Sequence, residues 1–232
     1  MRIQLNTMEE HLDNQQSSRI FAHHFFIPKG MTTKRVKILL DKISDVPVFR
    51  THTVTRTSKN GKRYFQEVNC IGDGCPLCEH AQKTDGQANV SFAHDRLVIP
   101  LIDFDFVNSE GQKTPVMSYW VRSSNFYRTV LATFTSRFAN LLDGYVDVMK
   151  SGSGQGTTYA LFPANDTTGM PPVKSNEEYL KDFDVDMDED LKTVVYDMTA
   201  DKMKALIPNQ QMNEEDVPFE GVPTRRVSTH GF

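Results

Sequence analysis

Only 3 of the 232 residues are cysteine and only 1 is tryptophan. So few cysteines cannot staple a small secreted scaffold with disulfides, and the fold has to rest on a hydrophobic core. No apolar run approaches the roughly 20 residues that a membrane-spanning helix requires. Residues 1–16 are polar and acidic and lack the basic-then-apolar layout of a secretory leader, so the expected compartment is a cytoplasm. Glycine-rich phosphate loops, metalloprotease histidine pairs and internal repeats are all missing, which removes the commonest nucleotide-hydrolysing and zinc-hydrolase readings. What is present is a hydrophobic share of 38% with 15 Phe, enough for one core of ordinary size plus tails.

The chain also has little net charge, −4, but that total conceals a partition. Residues 1–18 carry 1 basic and 3 acidic side chains, residues 19–165 carry 18 and 12, and residues 166–232 carry 7 and 15. A basic body with an acidic tail suits a polyanion-binding domain with an internal competitor or a partner-docking tail. The plainer reading is two solvated surfaces.

The cysteines compensate for their scarcity by clustering, as Cys70, Cys75 and Cys78 in the run Cys70-Ile-Gly-Asp-Gly-Cys75-Pro-Leu-Cys78. A glycine-flanked Cys-Pro-Leu-Cys turn aims two thiolates at one point, as tetrahedral zinc sites require. A thioredoxin-like redox pair would open a helix after a strand of a βαβ unit, and no such pattern surrounds this one. Structural zinc is therefore the favoured reading, with a fourth ligand to be found.

Asn60-Gly61 is a strong signal for a two-residue hairpin turn, because both central residues of that turn need positive φ. It lies between β-rich segments 46–57 and 63–70. With Asn60 and Gly61 as the turn, cross-strand partners have numbers summing to 121, which sets His52 opposite Asn69 and beside Cys70. His52, Cys70, Cys75 and Cys78 then predict a closed Cys3His site with no catalytic position. His80 and His94 are the rival fourth ligands, His80 being too close to Cys78 in the chain to complete the same tetrahedron without strain.

Elsewhere, a strand is expected over 21–28, including His23 and His24, and a short helix over 32–42 with Val36, Leu39, Leu40 and Ile43 on one face. In the first hairpin strand Arg50, His52, Val54 and Arg56 share a face, opposite Phe49 and a row of threonines. A polar loop over 82–89 leads to strands at 96–107 and 115–122. A helix over 125–142 follows, burying Tyr127, Val130, Leu131, Phe134, Phe138, Leu141 and Leu142. A loop at 151–156 and a last strand at 157–162 close the body. Beyond 165 come an acidic stretch at 176–190, one possible helix at 191–207 and a final segment that reads as disordered.

The order of these features resembles the T-even bacteriophage single-stranded DNA-binding (helix-destabilising) protein family. The residues that carry the resemblance are His52, the hairpin tip Lys59-Asn60-Gly61-Lys62, the aromatic pair Tyr64-Phe65, then Cys70 and the Cys75-Pro76-Leu77-Cys78 knuckle. A tyrosine-containing strand ending at Arg122 and running into an amphipathic helix matches in order. The spacing from the first to the second cysteine is shorter here, and the hairpin is longer on both sides of its tip. The resemblance covers about residues 20–165. It implies a mainly β, α+β fold: an OB-like barrel core with an inserted zinc-ribbon hairpin (about 48–94) and a long amphipathic helix. The implied organisation is a polar arm at 1–19, that DNA-binding core at 20–165 and an acidic region at 166–232. It further implies a non-enzymatic, Zn2+-containing protein of an infected bacterial host's cytoplasm. Such a protein coats unpaired DNA in replication, recombination and repair as a monomer that lines up along the strand, and docks replication and recombination proteins through its acidic region.

Cationic side chains release phosphate counterions, and aromatic faces stack on bases whatever their identity. The expected phosphate contacts are Arg50, Arg56, Lys59, Lys62, Arg63, Arg122 and Arg128, and the expected stacking residues are Tyr64, Phe65, Tyr119 and Trp120. For each aromatic the competing reading is core packing, and the strand period predicts that one of Tyr119 and Trp120 is buried and the other available. Asp103 and Asp105, alternating on a strand, could hold Mg2+ in a nuclease, but with no third partner in sight the plainer reading is a solvated face. The alternative function is a zinc-ribbon adaptor that binds duplex DNA or protein in a phage transcription or recombination complex.

Overall fold

The computed structural model describes residues 22–57, 61, 63–86 and 89–207. The fold is α+β, with an eight-stranded mixed sheet and a few short helices. Its organising strand is β5 (His94–Asp103). Along one edge of β5 runs β6 (Val116–Ser123), paired over Arg96 to Asp103. The other edge is shared: β3 (Val48–Thr57) pairs with its first half and β2 (Thr33–Ile38) with its second. Pro100 falls where these two partners part, so the N–H that proline lacks is not needed for a ladder bond, while its carbonyl accepts from Leu39 N at 2.9 Å.

From β2 the sheet continues to β7 (Val146–Ser151) and β8 (Thr158–Pro163), and from β6 to the short parallel β1 (His23–His24). Among the described residues no ladder joins β8 to β1. The sheet nonetheless curls over its first core, because Trp120 of β6 and Tyr159 of β8 meet edge-on at 5.1 Å. That core holds Val36, Ile38, Leu97, Ile99, Leu101 and Trp120. Its lid is helix α2, built from Ser124–Phe126, a π-helical stretch Tyr127–Leu131 and Ala132–Arg137. The helical stripe read from the sequence is here: Val130, Leu131 and Leu141 are buried, and Tyr127, Phe134, Phe138 and Leu142 pack against them. The helix stops at Arg137, where Phe138 turns extended, short of the expected end at 142.

The helix expected over 32–42 is strand β2 instead. Its apolar residues fit either period over so short a span, and β5 and β7 supply ladders on both edges that no local propensity can match. Two lysines are buried as a result. Lys37 Nζ donates to the carbonyls of Leu142 (2.6 Å) and Ile38 (2.9 Å) and to Asn176 Oδ1 (3.1 Å). Lys34 forms an ion pair of 2.5 Å with Asp103, both side chains nearly inaccessible. Asp103 thus lies inside the protein and not on the solvated face expected for it. Burial pushes its carboxyl above the ordinary value, although Lys34 draws it back.

Beyond 165 the chain forms three short helices where one was expected: α3 (Asn176–Asp182), α4 (Met187–Val194) and α5 (Ala200–Lys204). A capping box between Ser175 and Glu178 starts α3. Tyr179, Leu191, Val194 and Val195 then pack with Val98, Ile102, Met117 and Tyr119 on the sheet face opposite α2. Residues 176–194 carry 2 basic and 8 acidic side chains, so about half of the 15 acidic residues of 166–232 sit on this packed layer. The segment that reads as disordered begins at 208 and lies outside the described residues.

The Lys34–Asp103 pair yields a stability prediction. Lys34→Met alone should cost about 3–5 kcal/mol in urea unfolding, because it leaves a buried carboxylate uncompensated. The double change with Asp103→Leu should recover most of that loss; a double variant no better than the single one would contradict the pairing.

Candidate metal centre and β-arm

β3 extends past β5 as a two-stranded arm with β4 (Arg63–Asn69). The observed register pairs His52 with Val68 and Thr57 with Arg63, so partner numbers sum to 120 and not 121. The difference of one residue decides the chemistry, because a one-residue slip moves a side chain to the other face of a strand. In the expected register Cys70 would pair with Thr51 and point away from His52. In the observed one Cys70 N donates to Arg50 O at 2.8 Å, which puts Cys70 diagonal to His52 on the same face.

The chain then turns through Gly72 (φ +79) and Gly74 (φ +71), left-handed positions at which a side chain would be strained. Cys75 N closes the turn on Gly72 O at 3.2 Å. Cys75 is the N-cap of helix α1 (Pro76–Lys83), with Pro76 in the first turn, where no N–H is required. One helical turn places Cys78 beside Cys75.

The ligand atoms of His52, Cys70, Cys75 and Cys78 all lie within 4.8 Å of one another. His52 Nε2 is 3.3 Å from Cys78 Sγ and 3.6 Å from Cys75 Sγ, and Cys70 Sγ is 3.5 Å from Cys78 Sγ. These separations far exceed a disulfide bond of about 2.05 Å. They are close to the edges, about 3.5–3.8 Å, of a tetrahedron whose bonds are those of zinc to sulfur and nitrogen. The four residues could therefore hold a metal ion. His52 Nδ1 lies 2.8 Å from Ser91 O, a contact that fixes the tautomer with Nδ1–H donating and leaves Nε2 free to ligate. Burial lowers the His52 imidazole below its ordinary value, against the Ser91 contact, and so favours the neutral form that ligation requires. At Cys75 burial alone would raise the thiol, but the backbone N–H groups of Cys78, Ile71 and Leu77 outweigh it and hold the group below its ordinary value. Cys78 is pushed up to about 12 by burial and by its Cys70 and Cys75 neighbours.

His94 points elsewhere. Its Nε2 is 3.4 Å from Glu67 and 3.2 Å from Thr53 Oγ1, on the opposite face of the arm. Glu67 is the hub of that face, accepting from Thr51 (2.7 Å), Thr53 (3.0 Å) and Arg96 Nε (3.1 Å). Burial raises its carboxyl, yet the Arg96 charge and the Thr51 hydroxyl outweigh burial and hold it below the ordinary value.

No family model matches this chain, and no curated protein matches it.

The expected nucleic-acid contacts scatter over several surfaces. Lys59 and Lys62 lie outside the described residues. Arg63 and Phe65 are exposed, Phe65 at 52%, on the threonine face. Arg56 and Tyr64 are cross-strand partners on the metal face, the guanidinium 6.0 Å from the ring. Arg50 is exposed, 3.9 Å from Asp95. Arg122 lies half-buried over Tyr159 (4.3 Å) and Trp120 (4.7 Å), and Arg128 is exposed on α2. Tyr119 and Trp120 are both buried, at 0% and 1%. The expectation that one would be available fails because both sheet faces are covered, that of Trp120 by α2 and that of Tyr119 by α3 and α4. Tyr119 donates to Asp190 at 2.7 Å, a bond that pins α4 to the sheet.

Sequence reasoning missed Ser91, Glu67, Tyr196 and Met203. Tyr196 bridges to Val68 along the free edge of β4, with Tyr196 N to Glu67 O and Asn69 N to Tyr196 O both at 3.0 Å. Met203, fully buried, sets its sulfur 4.0 Å from Cys75 Sγ. Only the apolar residues within 191–207 hinted at such packing.

Two predictions follow from the arm. His52→Ala should lower metal stoichiometry, measured by mass spectrometry of the native protein, whereas His94→Ala should leave it unchanged. For Glu67, a folded value below the unfolded one means stability that is present above the ordinary 4.5 and lost as pH falls through and below it. Glu67→Gln should therefore lower the urea midpoint at neutral pH, and its deficit against the parent should shrink on acidification. A deficit independent of pH would exclude the charged network as its source.

Proposed function

We propose that the protein is a non-enzymatic, sequence-tolerant single-stranded DNA-binding protein of the T-even phage type, with Zn2+ clamping the base of its β-arm. The supporting observation is the arm itself: a hairpin held at its root by a closed Cys3His set, presenting exposed Phe65 beside Arg63 near its tip. Three thiolates and an imidazole at tetrahedral spacing suit Zn2+, and four protein ligands leave no position for a substrate, so the metal serves structure. The curled sheet with α2 across it is read as an OB-like barrel.

In this reading the backbone of the strand follows the cations. Val48, Leu97 and Arg122 stand in one cross-strand row, with Arg50 next along β3 on the same face, and Arg128 follows on α2. Arg56, Lys59, Lys62 and Arg63 supply the arm. Phe65 offers a ring for base stacking, with Tyr64 on the other face of the same strand. The acidic layer of α3 and α4 lies on the sheet face opposite Arg50 and Arg122, where it repels phosphates; Phe65 and Arg63 share that face but stand farther out along the arm. The setting would be phage replication, recombination and repair in the host cytoplasm.

The test is a titration of labelled oligo-dT against duplex of equal length, followed by anisotropy, because Trp120 is too buried to report stacking. Oligo-dT should bind more tightly, and log affinity should fall with log salt by about 0.7 per phosphate contact. Phe65→Ala should cost about 1–3 kcal/mol of that affinity. A marked duplex preference would overturn the proposal in favour of a zinc-ribbon adaptor.

A further inference from the structure

We infer that the metal centre is also the latch for the C-terminal strap: metal binding and docking of residues 195–207 are coupled, each strengthening the other. The inference rests on the reading of His52, Cys70, Cys75 and Cys78 as a metal site.

The strap reaches the arm from the far side of the sheet. Leu191 and Val195 belong to the core on the Tyr119 face, whereas Tyr196, Met198 and Met203 belong to a separate core with Val54, Val68, Cys75, Leu77 and Ala81. Between them the chain crosses the edge of β4, where Tyr196 makes the two backbone bonds that cap that edge. Helix α5 then lies against α1, its Met203 buried against the Cys75 sulfur. Helix α1 is only 8 residues long and starts at a ligand, and the loop before it is a glycine turn. Leu77 and Ala81 pack against Val54 and Val68, and at the end next to Met203 the set of His52, Cys70, Cys75 and Cys78 joins the knuckle to β3. When the ion leaves, the surface that seats Met203 loses its shape, and the strap loses the support on which α5 rests. Linkage requires the converse: an undocked strap must weaken the hold on the ion by the same factor.

Hydrogen exchange of the full-length protein, with and without a zinc chelator, tests the coupling. Metal removal should speed exchange of the Asn69, Tyr196, Met203 and Leu206 amides by roughly tenfold or more, within the range usual for coupled sites. Amides of β2, β5 and β7 should keep their protection and so serve as the internal reference for folding. Met203→Ala should shed zinc to a chromogenic chelator faster by a similar factor. Asp201→Ala, at an exposed position of the same helix, should not. A protein that binds zinc stoichiometrically but whose strap amides ignore its removal would overturn the latch while leaving the metal site intact. Loss of protection throughout the sheet would overturn it too, because the ion would then hold the whole fold. A folded protein that binds no zinc would instead remove the metal reading itself.

Discussion

The register of β3 against β4 is the constraint on which the rest of the arm depends. Because side chains alternate across a strand, it decides at once which residues face the cysteine knuckle and which face the Glu67 network. His52, Val54 and Val68 turn to the metal side, while Thr51, Thr53, Phe65 and Glu67 turn to the other. Shifted by one residue, Cys70 would leave the cluster and the glutamate would lose its threonines. The edge of β3 away from β4 is paired along its length: β5 pairs with its root, and residues 89–91 run along its outer part, with Thr55 N on Asn89 O at 2.7 Å.

The arm in turn is aimed by β5. That strand is shared between β2 and β3 at Pro100, so the curled core and the arm hang from one backbone. The buried Lys34–Asp103 pair closes the core end of the same strand, and the Arg96–Glu67 contact ties the arm end. Among the described residues, the acidic C-terminal region is built into this frame as a layer, α3 and α4, and a strap, residues 195–207. The charge of α3 and α4 is therefore fixed on one face of the sheet, a polarity that a loose tail would not give.

Much of the arm was legible in the residues. Cysteines three and five positions apart around two glycines can hardly avoid converging, and a threonine-rich alternating segment reads as a strand without help. His52 does fall beside the three cysteines, though in a register one residue from the expected one, since Asn60-Gly61 suggests a tighter turn than the ladder allows. The helix stripe at Tyr127, Val130, Leu131 and Phe134 was legible because its period repeats. β2 was not, because a six-residue segment satisfies both periods and only its neighbours choose between them. The fates of Tyr119 and Trp120 were equally hidden, since strand alternation says that they face opposite ways but not that both faces are covered.

Local spacing along the chain thus determined the cysteine knuckle, the hairpin and the amphipathic helix, because each depends on residues only a few positions apart, while composition alone set the division of charge. Tertiary structure alone decided the rest. It set the strand register, buried Lys34 with Asp103 and brought Met203 to Cys75 across 128 positions of chain. Such contacts are selected by the packing of whole faces against one another, and no short stretch of residues carries that information.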